Sequence, residues 1–573
     1  MSGPYIIMVS DHPHPGPVPE TVSAVAACLN MSVHPLMNRA WLLTRSDTSW
    51  RTTGATIVIG DAFPRACDRS SPCVFDNLWG GYVAVLLPAD QGGAIELWRD
   101  PSSAVGCYYA RSREWTVFAS NAGDLARAGV VAVEIDWYGL AAHLTFSQLR
   151  TPRTAINGVH ELLAGGRLRL GERGVTAQAM IWSPWAYGAP DKMIRDPADA
   201  SRAVREAILG TVAARLDGKG RSILRLSGGL DSSILAAAMK AAGHDFVCLN
   251  YRTRHASGDE RHYARKVANH LAVELHEVEL DPARVDPFRS SARDIPRPTI
   301  FSFSQAHAHH LEETIGLTGA SAIVDGGGGD NVFCYLHSAA TVADAVRLES
   351  PTGWWRAACD MSDLSKASLA TIGRATVAKL RHGHLYRWQP TDFWLNQDYV
   401  PSSSFQHPWL CTPGTGLPGT LRHIANIIQI QNHLDAGSLV RLPVLSPLLA
   451  QPVMETCLRV PSYLWARGGI NRRVARDAFA NLLPEEIVWR RDKGTPTSIV
   501  GGLFETHRDR LRDHLLGGVL ASAGFLDRPR LERVFDQNRV AQDITYSLLV
   551  RLADAESWAC AWLSRSDQPR ALA

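Results

Sequence analysis

The chain has 573 residues, too many for one hydrophobic core, so two large domains or three ordinary ones are expected. Charged residues make up 20% and the net charge is +3 with no block of like charge, which offers nothing to a nucleic-acid partner. Ten scattered cysteines without a C-x-x-C pair read as reduced thiols, and neither a signal peptide nor a run of about 18 apolar residues is present, so a cytoplasmic protein with no membrane partner is expected.

Residues 1–190 read as β-rich. Short apolar runs such as 55–59, 82–87, 94–98 and 115–119 alternate with Gly, Pro and Asp clusters, as in antiparallel hairpins, with one helix over 137–146. The polar, proline-containing passage 183–197 reads as a linker. Beyond it, helical and strand patterns alternate: helix 199–216, strand 222–226, helix 234–242, strand 245–251, helix 259–271 and strand 275–280. Ser257 and Glu260 fit a capping box at the last of these helices. Alternation of this kind specifies a doubly wound parallel sheet, whose ligands sit at the carboxyl ends of its strands. From about 335 onward the chain reads as mainly helical, interrupted by an irregular stretch over 401–419 that carries Trp409.

Two strand ends carry glycine-rich loops. The first is Leu226-Ser227-Gly228-Gly229-Leu230-Asp231-Ser232-Ser233. A turn of this kind, opening a helix, presents backbone N–H groups to a phosphate. It lacks the lysine of a Walker loop. Asp231 would repel phosphate unless Mg²⁺ lay between them, so the loop reads as a site for metal-bound pyrophosphate. The second loop is Gly326-Gly-Gly-Gly329-Asp330-Asn331, after the β-branched run 322–325. Asp330 is placed to reach the same metal as Asp231.

In this order the motifs resemble the asparagine synthetase B family, whose nucleotide module is of the PP-loop type. Arg441-Leu-Pro-Val-Leu is similar to its R-x-P-(F/Y)-L segment, and Pro484-Glu-Glu-Ile with Arg490 and Lys493 is similar to its P-x-x-(I/V)-x-x-R-x-K ending, with one extra residue before the lysine. Gly80-Gly-Tyr-Val-Ala followed by Arg99-Asp100-Pro resembles its glutaminase domain. The resemblance implies an α/β chain. Residues 1–190 would form a degenerate glutamine amidotransferase-like, Ntn-type αββα domain. Residues 198–573 would form the ATP-pyrophosphatase synthetase domain with a helical C-terminal part. It also implies ATP and Mg²⁺ as cofactors. Leu226, Ser227, Gly228, Gly229, Asp231, Ser232, Gly326 and Gly327 would hold the nucleotide, Asp231 and Asp330 the metal, and Lys493 the charge on the α-phosphate or the later oxyanion.

Two departures shape the functional expectation. The family's N-terminal cysteine nucleophile, which takes ammonia from glutamine, is replaced by Ser2, and the first cysteine is Cys28. A hydroxyl is a much poorer nucleophile than a thiolate, so glutaminase activity is read as lost and the amine must come with the substrate. A catalytic glutamate of the family is replaced by Gly327, which is expected to leave room for a peptide. The glycine-rich form ending in Asp-Asn resembles the macrolactam synthetases of lasso-peptide biosynthesis. The resemblance implies a precursor core peptide as substrate and a leader peptidase as partner. A β-lactam synthetase or ammonia-dependent asparagine synthetase is the alternative, and a nucleotide-binding scaffold a remote one. For the base that accepts the amine proton, His276, Asp294 and Glu260 are candidates. His307 and His310 lie three apart on a helix but lack a third metal ligand.

Overall fold

A computed structural model describes residues 3–65, 73–90, 93–253, 259–411, 416–491, 497–537 and 544–565. Its N-terminal part is a sandwich of two antiparallel six-stranded sheets. One sheet centres on Tyr5–Ser10 between Ala40–Thr44 and Trp115–Ala119, the other on Leu78–Leu86 between Thr56–Pro64 and Ile95–Arg99. The period-2 pattern decides what meets what. Tyr5, Ile7 and Val9 face Ile57, Ile59, Val83 and Val85 across the interior. Ile6 and Met8, on the opposite face, pack on the helices Glu20–Leu29 and Ala122–Arg127. The second sheet turns Tyr82, Ala84 and Trp98 toward the long helix α1 (Pro197–Leu216).

The C-terminal part is built on five parallel strands: β1 (Ser222–Arg225), β2 (Phe246–Arg252), β3 (Leu275–Glu279), β4 (Ala322–Val324) and β5 (Val444–Leu445). Their spatial order is β3-β2-β1-β4-β5, so the order reverses between β1 and β4. That is the switch point where loops splay apart and a ligand crevice forms. Both glycine-rich loops leave the sheet there. α2 (Leu230–Ala241) and α3 (Arg261–Leu271) connect the first three strands, and α4 (Ser304–Thr318) precedes β4. Further helices follow, among them α5 (Arg473–Phe479) and α6 (Ile544–Leu563). Among the described residues no helix is long and apolar enough to cross a membrane.

Two helix boundaries are corrected. α2 begins at Leu230, four residues earlier than the apolar pattern suggests, so Asp231 and Ser232 lie in its first turn. α3 begins at Arg261, two residues later than expected, and Glu260 pairs with Arg490 at 2.7 Å. Ser257 and Lys493 lie outside the described residues. The passage 183–197 is anchored at its start, where Trp185 is buried and its indole donates to the Trp409 carbonyl at 3.0 Å, and is exposed over 190–192 and 195–196.

The two parts share a buried ionic cluster. Glu161, with no exposed surface, accepts from Arg99 at 2.7 Å, Arg150 at 3.2 Å and Arg297 at 2.5 Å. Arg150 reaches on to Asp435 at 2.5 Å. Burial pushes the Glu161 carboxyl up, but Arg150, Arg297 and Arg99 outweigh it and hold it at about 2. A carboxylate held below its unfolded value stabilises the fold above that value, and the contribution is lost as pH falls through the folded one. Glu161→Gln, which leaves three buried guanidiniums short of counter-charge, is expected to cost about 3–5 kcal/mol. The urea midpoint measures this. The wild-type advantage over the variant should be full at pH 7 and shrink between about pH 4.5 and about pH 2.

Candidate functional site

Strand β1 delivers the first loop. The Leu226 N–H donates to Leu249 O at 2.9 Å and its carbonyl accepts the Asn250 amide at 2.8 Å, which fixes the strand end. Gly228 then turns the chain through a left-handed conformation, φ +77°. Two of the backbone donors expected to face phosphate are engaged internally: Ser227 N–H with the Ser232 hydroxyl and Gly229 N–H with the Ser227 hydroxyl, each at 3.2 Å. What remains for an anion is the first turn of α2, at the positive end of the helix dipole.

The second loop interlocks with the first. A Cβ at Gly326 would lie 3.0 Å from the Ser232 nitrogen, and one at Gly329 would lie 2.3 Å from the Asp231 carboxyl carbon. Glycine is therefore the residue that lets the loops meet. Gly327 is different. A Cβ there would lie 2.3 Å from Nε2 of His433, so the space is filled by an imidazole rather than left open for a substrate. That corrects the expectation that glycine makes room.

Asp231 and Asp330 do converge, through a residue that sequence reasoning missed. Nη1 of Arg472 lies 3.0 and 3.1 Å from the two Asp231 oxygens and 2.5 Å from Asp330. Arg472 precedes α5 in a left-handed conformation, φ +53°, uncommon for a branched-out side chain. Its guanidinium also lies 5.3 Å over the Tyr335 ring, and its Nε donates to Asn471 at 3.2 Å. Two carboxylates aimed at one point already occupied by positive charge are a fitting donor pair for Mg²⁺, with phosphate oxygens and water completing its shell.

Beside the loops lies a cavity of about 460 Å³ with walls from both parts of the chain, including Ser102, Gln148, Phe301, Leu439, His433 and Asp325. Its walls are electropositive. Arg225, Arg215 and Arg551 line it, and Arg551 is stacked 5.1 Å from both Phe301 and Phe393. Asp325 accepts from Arg225 at 3.0 Å, His433 at 2.8 Å and the Gly327 N–H at 2.9 Å. Burial works against its charge, yet these partners hold it far below the usual carboxylate range. Of the base candidates, Asp294 is taken by Arg127 and Arg565, Glu260 by Arg490, and His276 pairs with Glu274; none lines this cavity. His310 bonds the Glu279 carbonyl and Glu313. A second cavity, of about 490 Å³, adjoins the first across Ala104, Leu434 and Val440 and is lined by Gly3, Asp47 and Asn121.

The asparagine synthase family matches residues 203–560, more than half of the chain, and the chain belongs to that family. Such a domain implies an ATP-dependent amide-bond ligase. Amidase chyE of Penicillium rubens is 27% identical over 202 residues, which cover 32% of this chain and 29% of the relative. Amidase chry2 of Gibberella zeae is 28% identical over 170 residues, covering 26% of this chain and 25% of the relative. The chain thus spans less than a third of either relative's length. Among solved structures, glutamine phosphoribosylpyrophosphate amidotransferase from B. subtilis with ADP and GMP is 10% identical, with 56% of this chain and 90% of that chain covered at a TM-score of 0.19. The allosteric regulatory enzyme of purine biosynthesis gives 11%, 56%, 83% and 0.19.

If Arg472 neutralises a cation site, its loss should be repaired by a cation. Arg472→Ala removes the charge that joins Asp231 and Asp330, and a lower urea midpoint is expected without metal. Adding Mg²⁺ should recover much of the drop in the variant and add little in the wild type. A variant indifferent to Mg²⁺ would show that the pair does not bind it.

Proposed function

We propose that this member of the asparagine synthase family is an ATP-dependent macrolactam synthetase of lasso-peptide biosynthesis. It adenylates an aspartate or glutamate side-chain carboxylate of a leader-free core peptide, then joins that carbonyl to the peptide's own N-terminal amine, releasing AMP and pyrophosphate. A leader peptidase supplies the substrate. The observation that carries this reading is the electropositive cavity that opens beside the interlocked loops. At about 460 Å³ it falls in the range that takes ligands of drug size, about 300–1,000 Å³, and its mixed Phe, Leu and Arg walls suit part of a peptide bearing an acid.

The chemistry follows from a poor leaving group. A free carboxylate cannot lose hydroxide to an amine, so its oxygen attacks the α-phosphorus of ATP and pyrophosphate departs. Mg²⁺ bound by Asp231 and Asp330 would neutralise charge on the β- and γ-phosphates. The first turn of α2 presents its positive end to the departing pyrophosphate, and Ser227 and Ser232 hold the loop in shape for it. Leu226 and Gly326, at adjacent strand ends, flank the nucleoside. Lys493, which follows the Arg490–Glu260 pair in sequence, is assigned to the charge on the α-phosphate or the tetrahedral oxyanion.

The amine is assigned to the substrate itself. Cys28, the first cysteine in the sequence, sits on the helix Glu20–Leu29 with its thiol against the Arg127 carbonyl, not on the second cavity.

The deciding assay supplies ATP, Mg²⁺ and synthetic peptides that carry a free N-terminus and one aspartate or glutamate. AMP, pyrophosphate and a product lighter by one water are expected. AMP formed instead with free aspartate and ammonia, or with a small amino acid that cyclises, would replace the peptide reading by the corresponding small-molecule one. Lys493→Ala is expected to lose about 10²–10³ in turnover with an unchanged circular dichroism spectrum. Near-wild-type turnover would remove Lys493 from the site.

A further inference from the structure

Once the acyl-adenylate has formed, the attacking amine must shed a proton, and a group in the cavity has to receive it. Three histidines line the cavity: His143, His307 and His433. Burial, with arginines nearby, holds His143 down at about 3 and His307 at about 4, so neither keeps a proton well. His307 is also turned edge-on against Tyr251. His433 has a different setting. Its Nε2 lies 2.8 Å from Asp325, which Arg225 and the Gly327 N–H keep fixed and ionised. An ionised acceptor there places the hydrogen of the neutral ring on Nε2 and leaves the Nδ1 lone pair available. Among the described residues no hydrogen bond engages Nδ1, and about a third of the side chain, 35%, is open to its surroundings. The ring also stands over Gly327, next to the loop that carries Asp330.

We propose that His433, oriented by Asp325, is the general base of amide formation. The inference rests on the ligase reading above and adds the residue that completes it. The amine nitrogen bonds to the acyl carbon, and the carbonyl pair moves to oxygen. As it returns, the bond from carbon to the phosphate oxygen breaks and AMP leaves with its electrons. The proton shed by nitrogen passes to Nδ1, and Asp325 steadies the imidazolium. Carboxylate activation does not involve this proton, so His433 is required in the second half-reaction only.

The two halves separate experimentally. Carboxylate-dependent ATP–pyrophosphate exchange reports activation, and cyclised peptide reports amide formation; both are read with the synthetic peptide panel. Hydroxylamine, neutral at pH 7 and strongly nucleophilic, captures the acyl-adenylate without a base. In His433→Asn and His433→Gln we expect wild-type exchange, wild-type hydroxamate formation and amide formation lowered about 10²–10⁴-fold. Undiminished amide formation in both variants overturns the assignment. Loss of exchange together with amide formation also overturns it, since the histidine would then serve activation or the fold. Absence of exchange in the wild-type protein with every peptide would instead remove the ligase reading, leaving the two failures distinguishable.

Discussion

Two ionised carboxylates drawn to one point repel each other unless positive charge lies between them. The parallel sheet forces this situation. Its order reverses between β1 and β4, both strands end in loops at the same crevice, and each loop carries an aspartate. Glycines let the loops approach until Asp231 and Asp330 share one nitrogen of Arg472. Arg472 holds a left-handed backbone to reach them, and Asn471 and the buried Arg476 brace the segment: Arg476 donates to the Asn471 carbonyl at 2.7 Å. The crevice thus already holds one positive charge, the Arg472 guanidinium, between its two carboxylates.

Much of this framework was legible in the sequence, because it depends on local pattern. Apolar runs punctuated by Gly, Pro and Asp placed four of the sandwich strands, and the strand–glycine–helix order marked the first loop. What was illegible depends on contacts far apart in sequence. β5 is two residues long and carries no periodicity of its own; it is a strand only because Ile323 and Val324 lie beside it. α2 starts earlier than its apolar run because Gly229 caps it and the helix N-terminus is built from polar serines. Nothing in the local sequence distinguishes Arg472 from other arginines, and its role appears only when two loops more than a hundred residues upstream meet it. The same holds for His433. Gly327 suggested open space, and the residue that fills the space stands in a separate 3₁₀ segment, Gln431–Leu439. Glu260 also pairs with Arg490, 230 residues further along the chain, a contact that local pattern does not announce.

The N-terminal sandwich acquires a mechanical role from these contacts. Arg150, anchored on Glu161, holds Asn432 at 3.0 Å and Asp435 at 2.5 Å, one residue before and two after His433. The Asn432 amide returns a hydrogen bond to the Ser147 carbonyl at 2.9 Å. The segment that carries the proposed base is therefore clamped from the N-terminal part, while Asp325, which orients the ring, belongs to the C-terminal sheet. An imidazole fixed from two sides keeps Nδ1 aimed at one place, which is what a proton acceptor requires.

The same clamp accounts for the cost of the buried charges. Five ionic groups removed from water are poor contributors to net stability, since apolar residues of equal volume would serve as well or better. What they supply is direction. A guanidinium fork fixes its partners in angle as well as distance, which an apolar contact does not. An N-terminal part with no chemistry of its own would still be retained on this basis, because the wall of the cavity and the register of its histidine are set from that side. The charge cluster and the catalytic proposal thus bear on one geometry: the sandwich holds the segment that carries His433, and the sheet's aspartate holds its Nε2.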